Sequence, residues 1–265
     1  MEYIFYTGLG AIAGLISGLF GVGGGAVIVP MLIFAFAAQG IVAEVATHLA
    51  IGTSLATICF TSLSSIYTHH QKGAIRWDLV KTMTPAILFG SWLGGIFAIS
   101  LQGGSLQILF GGFMVAVALQ LLLYTPAVGA RSLPGVIGTT IAGSIIGGIS
   151  ALFGIGGGTL STPFLSFYGV KIHQAVGTAA AIGFPIALAA TYVYMIADVG
   201  GLITPEGSFG YVFAPAWLGI VVASIPFARL GAKIAHRANE KVLRIAFGCM
   251  MLLLGSRFIW INLAT

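Results

Sequence analysis

Residues 14–32 read GLISGLFGVGGGAVIVPML and residues 147–165 read GGISALFGIGGGTLSTPFL, an ungapped match with eleven of nineteen positions identical. The shared letters include Ser17/Ser150, Phe20/Phe153, Gly21/Gly154, the triplets Gly23–Gly25 and Gly156–Gly158, and Pro30/Pro163. Such a repeat, set in strongly apolar sequence, is the pattern of a membrane chain built from two related halves, with its site where the two irregular segments meet.

Working outward, composition fixes the class. Hydrophobic residues make up 58% and charged residues only 6%, with a mean hydropathy of +1.07, whereas a soluble domain carries roughly 25% charged residues. Apolar runs of about 17 to 25 residues, the span of a bilayer core, recur along the chain. Runs such as FGGFMVAVALQLLLY do not alternate in polarity, which excludes a transmembrane β-barrel. The reading is an all-α, polytopic helical membrane protein. The N-terminal MEYIFYTGLGAIAG lacks a basic n-region and is read as a retained membrane element. Cys59 and Cys249 sit in apolar runs with no metal or redox spacing and read as small packed hydrophobes. The net charge of +5 lies in loops between spans, which argues against nucleic acid as a partner.

The repeat extends past the glycines. Ala50-Ile51-Gly52-Thr53-Ser54 matches Ala175-Val176-Gly177-Thr178-Ala179, Tyr67 and Gly73 match Tyr194 and Gly200, and Phe110-Gly111 matches Phe247-Gly248. The halves are therefore residues 1–128 and 129–265. Equivalent loops carry opposite charge. Residues 68–81 hold Lys72, Arg76 and Lys81 against Asp78, while residues 198–209 hold only Asp198 and Glu206. The next pair reverses, because residues 101–106 are uncharged and residues 229–241 contain Arg229, Lys233, Arg237 and Lys241. Lys/Arg bias marks the cytoplasmic side, so the two repeats are expected to be inverted.

Clear helices are predicted near 45–67, 80–101, 105–124, 174–197, 210–229 and 241–262. Inversion then requires the glycine-bearing segments, 3–38 and 134–168, to cross an even number of times, and each is far too long for one straight span. Each is expected to be a Gly-broken helical hairpin. Three consecutive glycines in hydrocarbon weaken a helix and free backbone groups that lipid cannot satisfy. A helix restarting after Gly25 or Gly158 would aim free N–H groups and its positive dipole end at a polar cavity, which is an anion site. Glycines that merely let helices pack closely are the competing explanation. A nucleotide-binding glycine loop fails because no βαβ unit can be placed around it.

The candidate substrate-binding residues are Gly21, Gly23, Gly24, Gly25, Thr53 and Ser54 in the first half. In the second half they are Gly154, Gly156, Gly157, Gly158, Thr159 and Thr178. The threonine and serine hydroxyls either donate to a bound oxyanion or bond back to a helix carbonyl. Glu44 and His48, four residues apart on one helix face, are candidates for a proton relay. Ser64, Ser65, Tyr67, Tyr192 and Tyr194 are candidate cavity-lining residues, whereas His69, His70, His173 and His236 read as solvated. Neither metal ligands nor a cofactor are indicated. No HExxH, paired intramembrane carboxylates or nucleophile elbow points to an enzyme.

The paired Gly-Leu-Phe-Gly-Val-Gly-Gly-Gly and Ala-Leu-Phe-Gly-Ile-Gly-Gly-Gly blocks, each followed by Pro and then Ala-x-Gly-Thr, resemble the sulfite exporter TauE/SafE family, also called the 4-toluene sulfonate uptake permeases. The resemblance covers both halves and departs from symmetry at Ala179, which stands opposite Ser54. It implies a multi-pass permease of the cell inner (plasma) membrane for sulfite, sulfoacetate or another sulfonate. Its partners are the lipid bilayer and a small anionic substrate. A coupling proton or ion and a homo-oligomer are compatible with this reading. An anion channel or a non-transporting membrane scaffold is the alternative.

The charge reversal generates a topology test. In a background lacking Cys59 and Cys249, Lys72→Cys and Arg237→Cys react only from the cytoplasmic side and Glu206→Cys only from outside. Labelling of positions 72 and 206 from one side would remove the inversion.

Overall fold

In the computed structural model, which describes residues 2–20, 24–123, 133–235 and 240–263, the chain is helical nearly throughout. The helices are α1 (Glu2–Phe20), α2 (Gly25–Ala38), α3 (Ala43–Gln71), α4 (Trp77–Ser100) and α5 (Gly103–Leu123). They are followed by α6 (Val136–Phe153), α7 (Gly158–Phe167), α8 (Ile172–Ile196), α9 (Ala214–Ala235) and α10 (Glu240–Leu263). Between α8 and α9 lies a small hairpin, β1 (Ser208–Phe209) and β2 (Val212–Phe213), with Ser208 opposite Phe213. Gly21, Gly23, His236 and Arg237 lie outside the described residues.

Seven of these helices are long and apolar enough to cross a bilayer: α3, α4, α5, α6, α8, α9 and α10. Their outward faces carry large apolar side chains, among them Phe89, Trp92, Phe97, Leu253 and Trp260. A belt of this kind suits lipid tails and is untenable in water. The molecule is thus the all-α polytopic membrane fold read from composition. Cys59 is buried as expected, but Cys249 is exposed on α10, where a small side chain on a lipid-facing surface needs no packing partner.

Each glycine-bearing segment holds two helices, α1/α2 and α6/α7, and the chain between α6 and α7 leaves the helix at Gly154. Along the bundle α1 packs on α9, α6 on α4, α3 on α8 and α5 on α10, while α2 lies against α3 and α7 against α8. Exchanging α1–α5 for α6–α10 interchanges α1–α9 with α4–α6 and α2–α3 with α7–α8, and leaves α3–α8 and α5–α10 as they are. The core runs through the centre, where Phe36, Leu49, Ile51, Leu55, Phe110, Tyr194 and Phe258 are almost wholly buried.

Glycine rows hold the outer pairs together. Gly10, Gly14 and Gly18 of α1 sit directly on the backbone of Ile220, Ser224 and Ala228 of α9, leaving no space for a Cβ. On the other flank Gly90 and Gly94 of α4 press on Ser144 and Gly148 of α6 in the same way. Four-residue spacing puts these glycines on one helix face, and lipid provides no hydrophobic drive between helices, so close backbone contact supplies the attraction. Gly111 of α5 belongs to the same class of contact, since its Cβ would stand 2.7 Å from the Gly255 carbonyl oxygen of α10.

Gly14→Leu and Gly94→Leu should therefore each destabilise the protein by at least the ~1–3 kcal/mol typical of overpacking. Gly112, where an added methyl group would meet nothing within 4 Å, should accept leucine with no loss. Thermal unfolding of purified protein in detergent checks the contrast.

Candidate functional site

The start of α2 and the break between α6 and α7 meet at the centre of the molecule. Gly154 ends α6 in the left-handed conformation (φ 66°, ψ 29°), which glycine adopts without strain. There the Ile155 N–H returns to the Ser150 carbonyl at 3.0 Å, closing a Schellman turn. The start of α2 lies against this turn, with Gly25 so close to the Gly154 carbonyl and Ile155 that no side chain fits. From α3, the Ser54 hydroxyl donates to the same Gly154 carbonyl at 2.8 Å. Gly157, at the start of α7, is packed on Ala179 and Gly183 of α8, and Gly156 touches Ile58 of α3. Gly158 and Thr159 open α7, where Thr159 is half-buried.

A cavity of about 260 Å³ reaches this centre from one end of the bundle. Its inner wall is Ala13, Gly14, Gly24 and Ile28, where α1 and the start of α2 come together. Ser17, Thr61, Ser64, Ser65, Thr68 and Ser224 line its sides, and His69 and Arg229 stand toward its mouth. Thr61, Ser64/Ser65 and Thr68 recur at helical spacing and so share one face of α3. Thr61 and Thr68 bond back to α3 carbonyls. The hydroxyls of Ser17, Ser64 and Ser65 make no hydrogen bond among the described residues. The wall can therefore offer free O–H donors, the α2 helix start and a guanidinium to one small anion.

The named candidates divide. Gly24 lines the cavity, and Gly25 and Gly154 form the seam behind it. Thr53 and Thr178 do not reach it. Thr53 Oγ1 accepts the Phe213 N–H at 3.0 Å and Thr178 Oγ1 accepts the Arg76 N–H at 3.0 Å. Each ties its helix to the stretch entering the other half's α9 or α4. Helices that have already satisfied their own backbone leave a buried threonine oxygen free to receive the unpaired N–H ahead of a neighbouring helix. His48 is buried, with Nδ1 2.8 Å from the Glu44 carbonyl and Nε2 3.1 Å from the Ala98 carbonyl of α4. The Glu44 carboxylate is exposed, so the four-residue spacing joins His48 to the backbone of Glu44 and not to its acid. Tyr211 stacks on the His48 ring at 5.0 Å; burial, and secondarily Asp198, pushes its phenol above the ordinary range.

Two corrections concern residues read from sequence as peripheral. Arg229 looked like a loop cation and His69 a solvated one, yet both line the cavity. Of the aromatic candidates, Tyr194 is fully buried while Tyr67 and Tyr192 are exposed. The register also shifts. Helices α3 and α8 end at Gln71 and Ile196, and His69 and Tyr194 accept equivalent backbone bonds from Ala74 and Tyr211, so Tyr194 stands opposite His69 rather than Tyr67.

A multi-pass bundle with a polar cavity ending at a broken helix is the architecture of a membrane transporter. The chain belongs to the sulfite exporter TauE/SafE family, whose model matches residues 6–258. A probable membrane transporter protein of Haemophilus influenzae is 32% identical over 246 residues, covering 92% of this chain and 93% of that one. Similar proteins, also called probable membrane transporters, occur in Methanocaldococcus jannaschii at 29% identity (93% and 91% covered) and as YunE of Bacillus subtilis at 28% (98% and 98%). No solved structure matches the chain.

The threonine ties yield a stability test. Thr53→Val leaves the buried Phe213 N–H unpaired and should cost about 1–3 kcal/mol, with Thr53→Ser restoring it. Thr178→Val should cost less, because its bond to Arg76 is only partly buried. Thermal unfolding reads both effects, and anion affinity should be unchanged.

Proposed function

We propose that the chain is a permease that moves sulfite, sulfoacetate or another sulfonate by alternating access between two inverted halves, residues 1–128 and 129–265. The observation that carries this reading is the cavity, which joins hydroxyl donors and Arg229 to the start of α2 at Gly24. Helix starts and O–H groups suit an oxyanion, and each charge-assisted bond contributes on the order of 1.5 to 3 kcal/mol. The glycines and Thr159 around the second break, Gly154 to Gly158, supply the other helix start facing the centre, so the ligand sits between the two repeats.

One guanidinium and several neutral donors match a singly or partly charged oxyanion. A strongly hydrated multivalent anion such as phosphate loses more on giving up its water for one guanidinium and neutral donors. His48, with both ring nitrogens against carbonyl oxygens, is the group placed to hold a coupling proton, because only the imidazolium donates from both.

Flux into proteoliposomes over a panel of sulfur oxyanions tests the reading. Saturable uptake of sulfite or a sulfonate is expected. Arg229→Ala should weaken affinity several-fold, and Gly24→Leu should abolish uptake while membrane insertion is kept. Preference for phosphate, an amino acid or a cation would overturn the substrate, and unsaturable flux would make the protein a channel.

A further inference from the structure

Four buried hydroxyls have no role in the site described above. Ser91 of α4, Ser150 of α6, Ser161 of α7 and Tyr194 of α8 are each 0% exposed, and none of their oxygens has a hydrogen-bond partner. They are four of the seven such orphaned atoms among the described residues. Unpaired buried hydroxyls are costly, so their gathering on four neighbouring helices asks for an explanation.

Their positions supply it, on the two-half reading given above. Ser150 is the repeat partner of Ser17, and Ser161 lies three residues after Gly158 as Ile28 does after Gly25. Tyr194 is the partner of His69 by helix ends and by the matching backbone bonds of Tyr211 and Ala74. The ties of Thr53 to Phe213 and of Thr178 to Arg76 align α9 with α4, which puts Ser91 opposite Ala228. Ser17, Ile28, His69 and Ala228 all line the open cavity. Every one of the four orphans thus occupies the mirror position of a cavity wall.

That mirror cavity is closed. Ile87, Ile146 and Ile186, the counterparts of Ser224, Ala13 and Thr61, fill it in one packed cluster with Met83 and Ile182. Helix α4 lies on α8, with Gly95 against Val193, whereas the open cavity separates the matching stretches of α9 and α3.

We propose that the face where α4, α6, α7 and α8 meet is a second vestibule, shut in this structure, which admits the same small oxyanion from the opposite side of the bilayer. Its lining is the hydroxyls of Ser91, Ser150, Ser161 and Tyr194. The glycine-locked pair α4–α6 moves away from α8 as a unit, and the hydroxyls then meet water and ligand. Trp92 and Tyr194 stand where the open cavity has Arg229 and His69, so this vestibule binds through neutral O–H donors alone.

Single cysteines decide the matter in a background carrying Cys59→Ala and Cys249→Ala. Ser17→Cys, Ser91→Cys and Ser150→Cys are treated with a membrane-impermeant methanethiosulfonate in right-side-out and inside-out vesicles, with and without sulfite. Ser17→Cys should react from one face only, and Ser91→Cys and Ser150→Cys from the opposite face only, at rates that sulfite changes, with loss of sulfite flux after modification. Reaction of all three from the same face overturns the proposal, as does a lack of reaction at both positions 91 and 150 while position 17 reacts. Ser161→Cys replaces either variant that fails to insert. Saturable sulfite flux with unreactive positions 91 and 150 would remove the vestibule and keep the permease. Labelling from the opposite face in vesicles that move no sulfur oxyanion would keep the vestibule and remove the substrate.

Discussion

Everything in this molecule depends on one constraint: peptide groups released at a helix break cannot be left bare in hydrocarbon. Around the two glycine blocks the described peptide groups satisfy that constraint within their own helices and through α3. The Gly154 carbonyl takes the Ser54 hydroxyl, the Ile155 N–H turns back on Ser150, and the Gly24 carbonyl receives the Val27 and Ile28 N–H groups. Because Gly25 presses directly on Gly154 and Ile155, any side chain there would part the halves and expose what the contact covers. Glycine is required at this seam by proximity, and the polar cavity exists because the seam ends at Gly24.

Around this seam the α1–α9 and α4–α6 sides share a packing pattern but differ in chemistry. One side presents serines, threonines, a histidine and an arginine to an open space. The corresponding side is filled by isoleucines. The difference sits in side chains at matching helix positions, such as Thr61 on the cavity against Ile186 in the packed cluster.

Much of the fold was legible in the sequence, because a bilayer imposes span length and apolarity so strictly that α3, α4, α5, α8, α9 and α10 fall within a few residues of the hydrophobic runs. The glycine blocks marked the breaks. The site was less legible. Thr53 and Thr178 repeat visibly, but repetition signals any shared requirement, and here it is a tie between helices. Arg229 was masked by lying at the end of an apolar run among other cations, where charge reads as topology. The spacing of Thr61, Ser64, Ser65 and Thr68 along one face of α3 was the available signal for the cavity, since a polar stripe within a buried span has little reason to exist otherwise.

The interlocking of α1 with α9 also has a bearing on how the protein is made. Helix α1 leaves the ribosome well before α9, so the glycine row Gly10, Gly14 and Gly18 meets its partner only when residues 220–228 have followed. At about 5–20 residues per second the wait is on the order of ten to forty seconds. During that interval α1 has no backbone partner to fill its glycine face, and neither half can finish alone. Closure of α1 on α9 is thus a late step, and a ribosome stalled before α9 would leave α1 still waiting to be matched.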